Sequence, residues 1–244
     1  MADSGDHPPR RSICRHTLAT RIWHWVNAVT IFIMIGSGLM ILNAHPHLYW
    51  GHYGANFDTP WIDLPHWPGW LTIPSSYNLA LARRWHLTFA LVLAFGLLFF
   101  MVASLINRHF QRDLRLRRAE VAPRHLWADI KAHLAFRFSD PDRPGAYNTL
   151  QKLSYVAVIF VLIPVMILSG LTMSPGMDAA WPWLIDLFGG RQSARSVHFI
   201  AAALIAGFVT VHLALVILAG VWNELRSMIT GRWEVEDADR GEAA

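Results

Sequence analysis

Charged residues leave four long gaps in this chain. Uncharged, mostly apolar windows run from about Trp23 to Leu42, Leu87 to Ile106, Tyr155 to Met173 and Val197 to Val221. A helix crosses a bilayer in about 20 residues at 1.5 Å rise, so each window is long enough. A soluble core can hide one such helix, but four in 244 residues predict a membrane bundle. Between the first two windows, residues 43–82 hold Trp50, Trp61, Trp67 and Trp70 among Pro46, Pro60, Pro65, Pro68 and Pro74. That composition suits neither a span nor a loose linker, and it predicts an ordered cap at the membrane interface. Pro123 to Ala135 patterns as an amphipathic surface helix, with Trp127 and Ile130 on its apolar side. Pro164 predicts a kink in the third span. No internal repeat is evident at this level.

The charges give the bundle a direction. Arg10, Arg11, Arg15 and Arg21 precede the first span, nine Lys/Arg lie from Arg108 to Arg143, and Arg226 and Arg232 follow the fourth. The two other connections hold only Arg83, Arg84, Arg191 and Arg195, all close to a helix start. The positive-inside rule then places both termini and the middle loop in the cytoplasm. The calculated pI near 9.6 is explained by this placement and needs no nucleic acid. Only 16% of residues are charged, below the roughly 25% of soluble domains. Arg10-Arg11 precedes a long segment followed by three more spans, so it reads as the flank of a retained helix rather than an export signal. The single cysteine, Cys14, excludes an internal disulfide, a cysteine-held iron–sulfur cluster and covalent C-x-x-C-H haem attachment.

Candidate chemistry comes from the histidines. Of thirteen, only His24, His86, His198 and His212 lie in or at the ends of spans. His198 and His212 are fourteen residues apart, about 40° short of four whole turns, so both project from nearly one face at levels about 21 Å apart. His24 begins the first span on the inner side, and His212 lies in the inner half of the fourth. His86 and His198 begin their spans on the outer side. Two pairs at matching depths follow, His24 with His212 and His86 with His198. Haem iron takes one imidazole on each face, with the porphyrin between helices. Zinc would want a third or fourth ligand, and a proton relay would want membrane carboxylates. Gly36, Gly38, Gly96, Gly170 and Gly207 leave room for a macrocycle edge or for close helix packing. Arg21, Arg83, Arg84 and Arg195 lie near the expected ligands, as propionate partners or as interfacial anchors.

The segments Arg21-Ile22-Trp23-His24-Trp25, Arg84-Trp85-His86 and Gly145-Ala146-Tyr147-Asn148-Thr149-Leu150-Gln151-Lys152, with His198 and His212, carry a resemblance. From about Arg15 to Arg232 the chain resembles the b-type cytochrome subunits of bacterial membrane-bound nickel–iron hydrogenases and formate dehydrogenases. The resemblance implies two haems b, an inner one on His24 and His212 and an outer one on His86 and His198. It also implies a quinone, ubiquinone or menaquinone, near Asn148, Gln151 and Lys152, whose side chains supply donors for a quinone carbonyl. In the bland alternative, Asn148 caps the third helix and Lys152 anchors it. The long tryptophan-rich outer loop looks more like variants that accompany periplasmic molybdenum-cofactor oxidoreductases or small soluble cytochromes c.

The expected fold class is therefore all-α: an integral inner-membrane four-helix bundle with both termini cytoplasmic and an ordered periplasmic loop after the first helix. Residues 1–16 are expected to be disordered, 17–232 to form the dihaem cytochrome domain and 233–244 an acidic tail. The expected function is electron transfer between a periplasmic redox partner, an oxidoreductase subunit or soluble cytochrome c, and membrane quinone. The sequence leaves two rivals. One is a self-sufficient quinone-coupled oxidase of a small outer-side reductant such as superoxide, with Arg83, Arg84 and His66 as a cationic funnel. The other is a non-redox anchor, or a metal carrier using His45, His47, His52 and His66.

Overall fold

The structure is a computed structural model describing residues 12–55, 57–108, 120, 122–134 and 149–234. Four helices are long and apolar enough to cross a membrane: α1 (Leu18–Ala44), α2 (Leu79–Ile106), α4 (Thr149–Thr172) and α7 (Arg191–Leu218). They coincide with the four uncharged windows but start earlier. Caps explain two of these starts. The Thr17 side chain accepts from Thr20 N, and Asn78 from Leu81 N, satisfying amides that the first turn leaves unpaired. The early start of α7 follows Gly189 and Gly190, at φ 71° and 116°. A side chain at Gly190 would meet the backbone of Gly51, so glycine is required there on two counts.

Pro164 perturbs α4 as expected, and the form is specific. Residues Val158–Leu162 make a π-helical turn before the proline. A proline cannot donate to the preceding turn, and a wider turn relieves the clash. The surface helix is present as α3 (Pro123–Leu134), with Lys131 Nζ 5.6 Å from the Trp127 ring centre. Short helices α5 (Pro175–Ala180) and α6 (Trp183–Leu187) join α4 to α7. Helix α8 (Val221–Thr230) follows Gly220 and ends at Gly231, both with positive φ.

Regular structure begins before residue 17. Strand β1 (Ser12–Cys14) pairs antiparallel with β4 (Arg232–Glu234), so part of the N-terminal segment expected to be disordered and the first residues of the acidic tail are built into a two-stranded sheet. Arg15 explains the attachment. Its guanidinium meets Glu224 of α8 at 3.0 Å and lies over the Trp233 ring. The remaining residues of the expected N-terminal arm and acidic tail lie outside the described residues.

The bundle is two hairpins, α1–α2 and α4–α7, whose close backbone contacts are mainly internal. They meet in an apolar layer at mid-height, built on Leu93, Val158, Ile163, Met166, Ala201 and Ile205. Over one end folds the connection after α1, with strands β2 (His47–Leu48) and β3 (Ile62–Asp63). It is ordered because it is bonded to the start of α7. Trp61 Nε1 donates to Ser196 Oγ (2.9 Å), which donates to the Tyr49 carbonyl (2.6 Å), and Gly51 N donates to Ser193 Oγ (2.7 Å). Leu48 beneath it is fully buried.

One reading of the sequence needs correction, for the chain does repeat. Residues 31–40 and 163–172 are identical at six of ten positions: Ile31/Ile163, Met34/Met166, Ile35/Ile167, Ser37/Ser169, Gly38/Gly170 and Leu39/Leu171. Helices α2 and α7 share Ala-Arg-x-x-His, at 82–86 and 194–198, and both alanines are fully buried. The two offsets differ, 132 residues for the first pair and 112 for the second, so no single period reveals the match. The fold does, because each hairpin carries one copy of both.

Candidate functional site

The structure brings the four span histidines together as two pairs. His24 of α1 faces His212 of α7 with ring centres 6.4 Å apart, and His86 of α2 faces His198 of α7 at 6.1 Å. Each pair bridges the two hairpins. On α7, Ile205 lies seven residues from either histidine, on nearly the same face; on α2, Leu93 lies seven residues after His86. The apolar layer therefore separates the pairs.

These separations test the expected haem. An imidazole nitrogen binds a first-row metal at about 2 Å and lies roughly 1.1 Å from its ring centre, so two rings on one iron have centres about 6.2 Å apart. Both pairs match that value. Neither pair is stacked face to face, the ring planes lying at 65° and 59° to each other.

The pair under the cap is supported in detail. Ser37 Oγ donates to the Ile33 carbonyl at 2.7 Å, and Ser169 Oγ to the Val165 carbonyl at 2.6 Å. Each hydroxyl lies 3.0 Å from a ring nitrogen, Nδ1 of His86 and Nδ1 of His198 respectively. A hydroxyl has one hydrogen, already committed, so the ring N–H is the donor and Nε2 keeps its lone pair. That is the tautomer a metal-binding histidine needs. Gly38 and Gly170 follow the serines, and a Cβ there would lie 3.4 Å and 3.3 Å from the Cε1 atoms of these two rings.

The other pair is built differently. Buried His24 Nδ1 has no hydrogen-bond partner among the described residues. His212 stacks on Phe208 at 5.8 Å, and Trp23 beside His24 stacks on Phe100 of α2 at 4.0 Å. Phe100 occupies on α2 the position that His212 occupies on α7, fourteen residues past the shared histidine. Duplication thus accounts for the His86/His198 pair but not for His24/His212.

The glycines divide. Gly38 and Gly170 make room for imidazoles, Gly36 takes Ile73 of the cap, Gly96 is near Trp23, and Gly207 faces open space. The arginines divide too. Arg21 donates to the Ile229 carbonyl at the end of α8, and Arg195 to the His45 carbonyl. Arg84 is exposed and meets no partner among the described residues. Arg83, not Arg84, is the repeat counterpart of Arg195. Both act on His45, whose pKa is lowered by burial first and then by the Arg195 and Arg83 charges.

Among the expected quinone contacts, Lys152 pairs with Glu120 at 3.1 Å, and Gln151 lies in the first turn of α4. Asn148 lies outside the described residues. The loop histidines do not gather. His47 lies 2.9 Å from Asp63, and among the described residues no three His, Cys, Asp or Glu side chains cluster as a metal site would need.

Fold and site together define a membrane-spanning helical bundle with histidine pairs at two levels. Residues 15–231 match the prokaryotic cytochrome b561 family, and the chain belongs to it. It is accordingly an integral inner-membrane b-type cytochrome of electron transfer, with haem b as its prosthetic group. Among curated relatives, a putative protein-methionine-sulfoxide reductase subunit YedZ1 of Azospira oryzae is 32% identical over 216 residues, covering 86% of this chain and 93% of that one. A probable Ni/Fe-hydrogenase B-type cytochrome subunit of Cupriavidus necator is 26% identical over 225 residues, covering 88% and 80%. One of Azotobacter vinelandii is 26% identical over 236 residues, covering 90% and 87%. No solved structure matches the chain significantly.

Proposed function

We propose that this chain conducts electrons between a periplasmic oxidoreductase and membrane quinone through two bis-histidine haems b. The observation that carries the reading is the pair of ring separations, 6.4 Å and 6.1 Å, at two levels of one bundle. His24 and His212 hold the haem nearer the cytoplasm, and His86 and His198 the haem beneath the cap. When bound, each haem supplies a one-electron centre, and the chain's residues hold it, exclude water and shape its surroundings. The basic residues at the end bearing β1, α3 and α8 favour both described ends in the cytoplasm and the capped end in the periplasm.

Two of the relatives are named as hydrogenase cytochrome subunits and one as a sulfoxide reductase subunit, which supports an enzyme partner at the capped end. The ordered, aromatic-rich cap favours docking there, with Trp50, Tyr53 and Trp70 exposed. At the other end Gln151 and Lys152, with Glu120 beside the lysine, offer polar groups to a quinone carbonyl. The test uses purified chain in lipid nanodiscs. The proposal expects two haems b per chain, both reducible by a quinol analogue, and no oxidation of superoxide coupled to quinone without added protein. A colourless chain, or quinone-linked turnover by the chain alone, would overturn it.

A further inference from the structure

The duplicated segment does something the second site lacks. Ser37 and Ser169 are fully buried. Each is one residue before the glycine that touches the same imidazole. Each spends its hydrogen on its own helix, at 2.7 Å and 2.6 Å, and so presents only an oxygen to the ring of the partner helix at 3.0 Å. Such an arrangement fixes ring orientation and tautomer, and it draws the Nδ1 hydrogen toward the serine. Electron density then rises on Nε2. At the other pair, His24 Nδ1 has no such acceptor among the described residues.

We infer that Ser37 and Ser169 are paired positioning residues that hold His86 and His198 with Nε2 bare and facing each other, and that they lower the reduction potential of the haem held there without acting on the other. Neither serine touches iron; both act through a ligand. The direction follows from charge. A more electron-rich ligand favours the ferric state, so removing the acceptor moves the potential up. The inference rests on the proposed ligation by His86 and His198.

Spectroelectrochemical titration of the purified holoprotein tests it. Wild-type chain should titrate in two waves, one of which is absent from His86→Ala. Ser37→Ala and Ser169→Ala should each shift that wave to higher potential, and the wave missing from His24→Ala should stay in place. Ser37→Cys and Ser169→Cys keep volume but offer sulfur, a weak acceptor, and should shift it in the same direction. A cysteine variant that titrates like wild type while alanine shifts would mean packing alone, and would overturn the inference. So would an unmoved wave, a downward shift, or a shift of the other wave. The two serines lie on different helices, so failure of one variant to fold leaves the same test on the other. If His86→Ala removes no wave, the ligation itself is wrong, and that outcome is distinct from unmoved potentials in the serine variants.

Discussion

Adding carbon atoms at Gly38 or Gly170 perturbs one site selectively. A Cβ at Gly170 lies 3.3 Å from His198 Cε1, and one at Gly38 lies 3.4 Å from His86 Cε1. Carbon pairs rest at about 3.5–4.0 Å, so with alanine each ring must retreat by a few tenths of an ångström. With valine two further carbons enter the same space, and the ring cannot retreat that far and keep its 3.0 Å bond to serine. Overpacking of this kind costs about 1–3 kcal/mol. At about 1.4 kcal/mol per tenfold, haem at this site should be held roughly 5–150-fold more weakly. Alanine belongs to the low end and valine to the high end. Haem transfer from the solubilised chain to excess apomyoglobin measures this. Wild type should lose haem in two phases, and Gly170→Val should accelerate only the phase that His86→Ala abolishes. Gly207→Ala is the control, because among the described residues nothing lies within 4 Å of its added Cβ. Two unchanged phases in Gly170→Val, or acceleration of the His24/His212 phase, would refute the reasoning.

Other outcomes follow from the same structure. Glu224→Gln breaks a mostly buried charge-assisted contact with Arg15 at 3.0 Å and should cost about 1.5–3 kcal/mol, read as a lower midpoint of denaturant-induced loss of haem absorbance. Lys152→Met should slow haem reduction by quinol while leaving the haem-to-chain ratio unchanged; a lost haem would place Lys152 in the fold rather than at the quinone. His45 gives a pH dependence. Its folded pKa is depressed, so the folded state resists protonation, and stability is lost as pH falls below about 6.5. His45→Gln should flatten the decline in thermal midpoint between about pH 7.5 and 5.5, and an equal decline in both proteins would remove His45 as its source.

Much of this was legible in the sequence because apolar spans and buried histidines are strong signals. Charge-free windows located four helices, and helical arithmetic put His198 and His212 on one face. Depth alone pairs them with His86 and His24, the rings that lie 6.1 Å and 6.4 Å from them in the structure. Helix starts were less legible. Arg191 and Arg195 lie inside α7, whose snorkelling charges a charge-free window excludes. Strand β1 was missed because three residues carry no pattern of their own; they are ordered by β4, some 220 positions away. The serines were missed because serine in an apolar helix is unremarkable until its partner is known. A signal was present: Met-Ile-x-Ser-Gly-Leu occurs twice, and alignment of the chain with itself, hairpin against hairpin, finds it. The same comparison prefers Arg83 to Arg84 as the counterpart of Arg195.

Haem stoichiometry in paired double variants tests the central claim most directly. Pyridine haemochrome absorbance gives haem b per chain. Wild type should give two, both His24→Ala/His212→Ala and His86→Ala/His198→Ala one, and the crossed variant His24→Ala/His86→Ala none. Equal loss from all three double variants, or one haem surviving in the crossed variant, would contradict two independent sites with the partners assigned above.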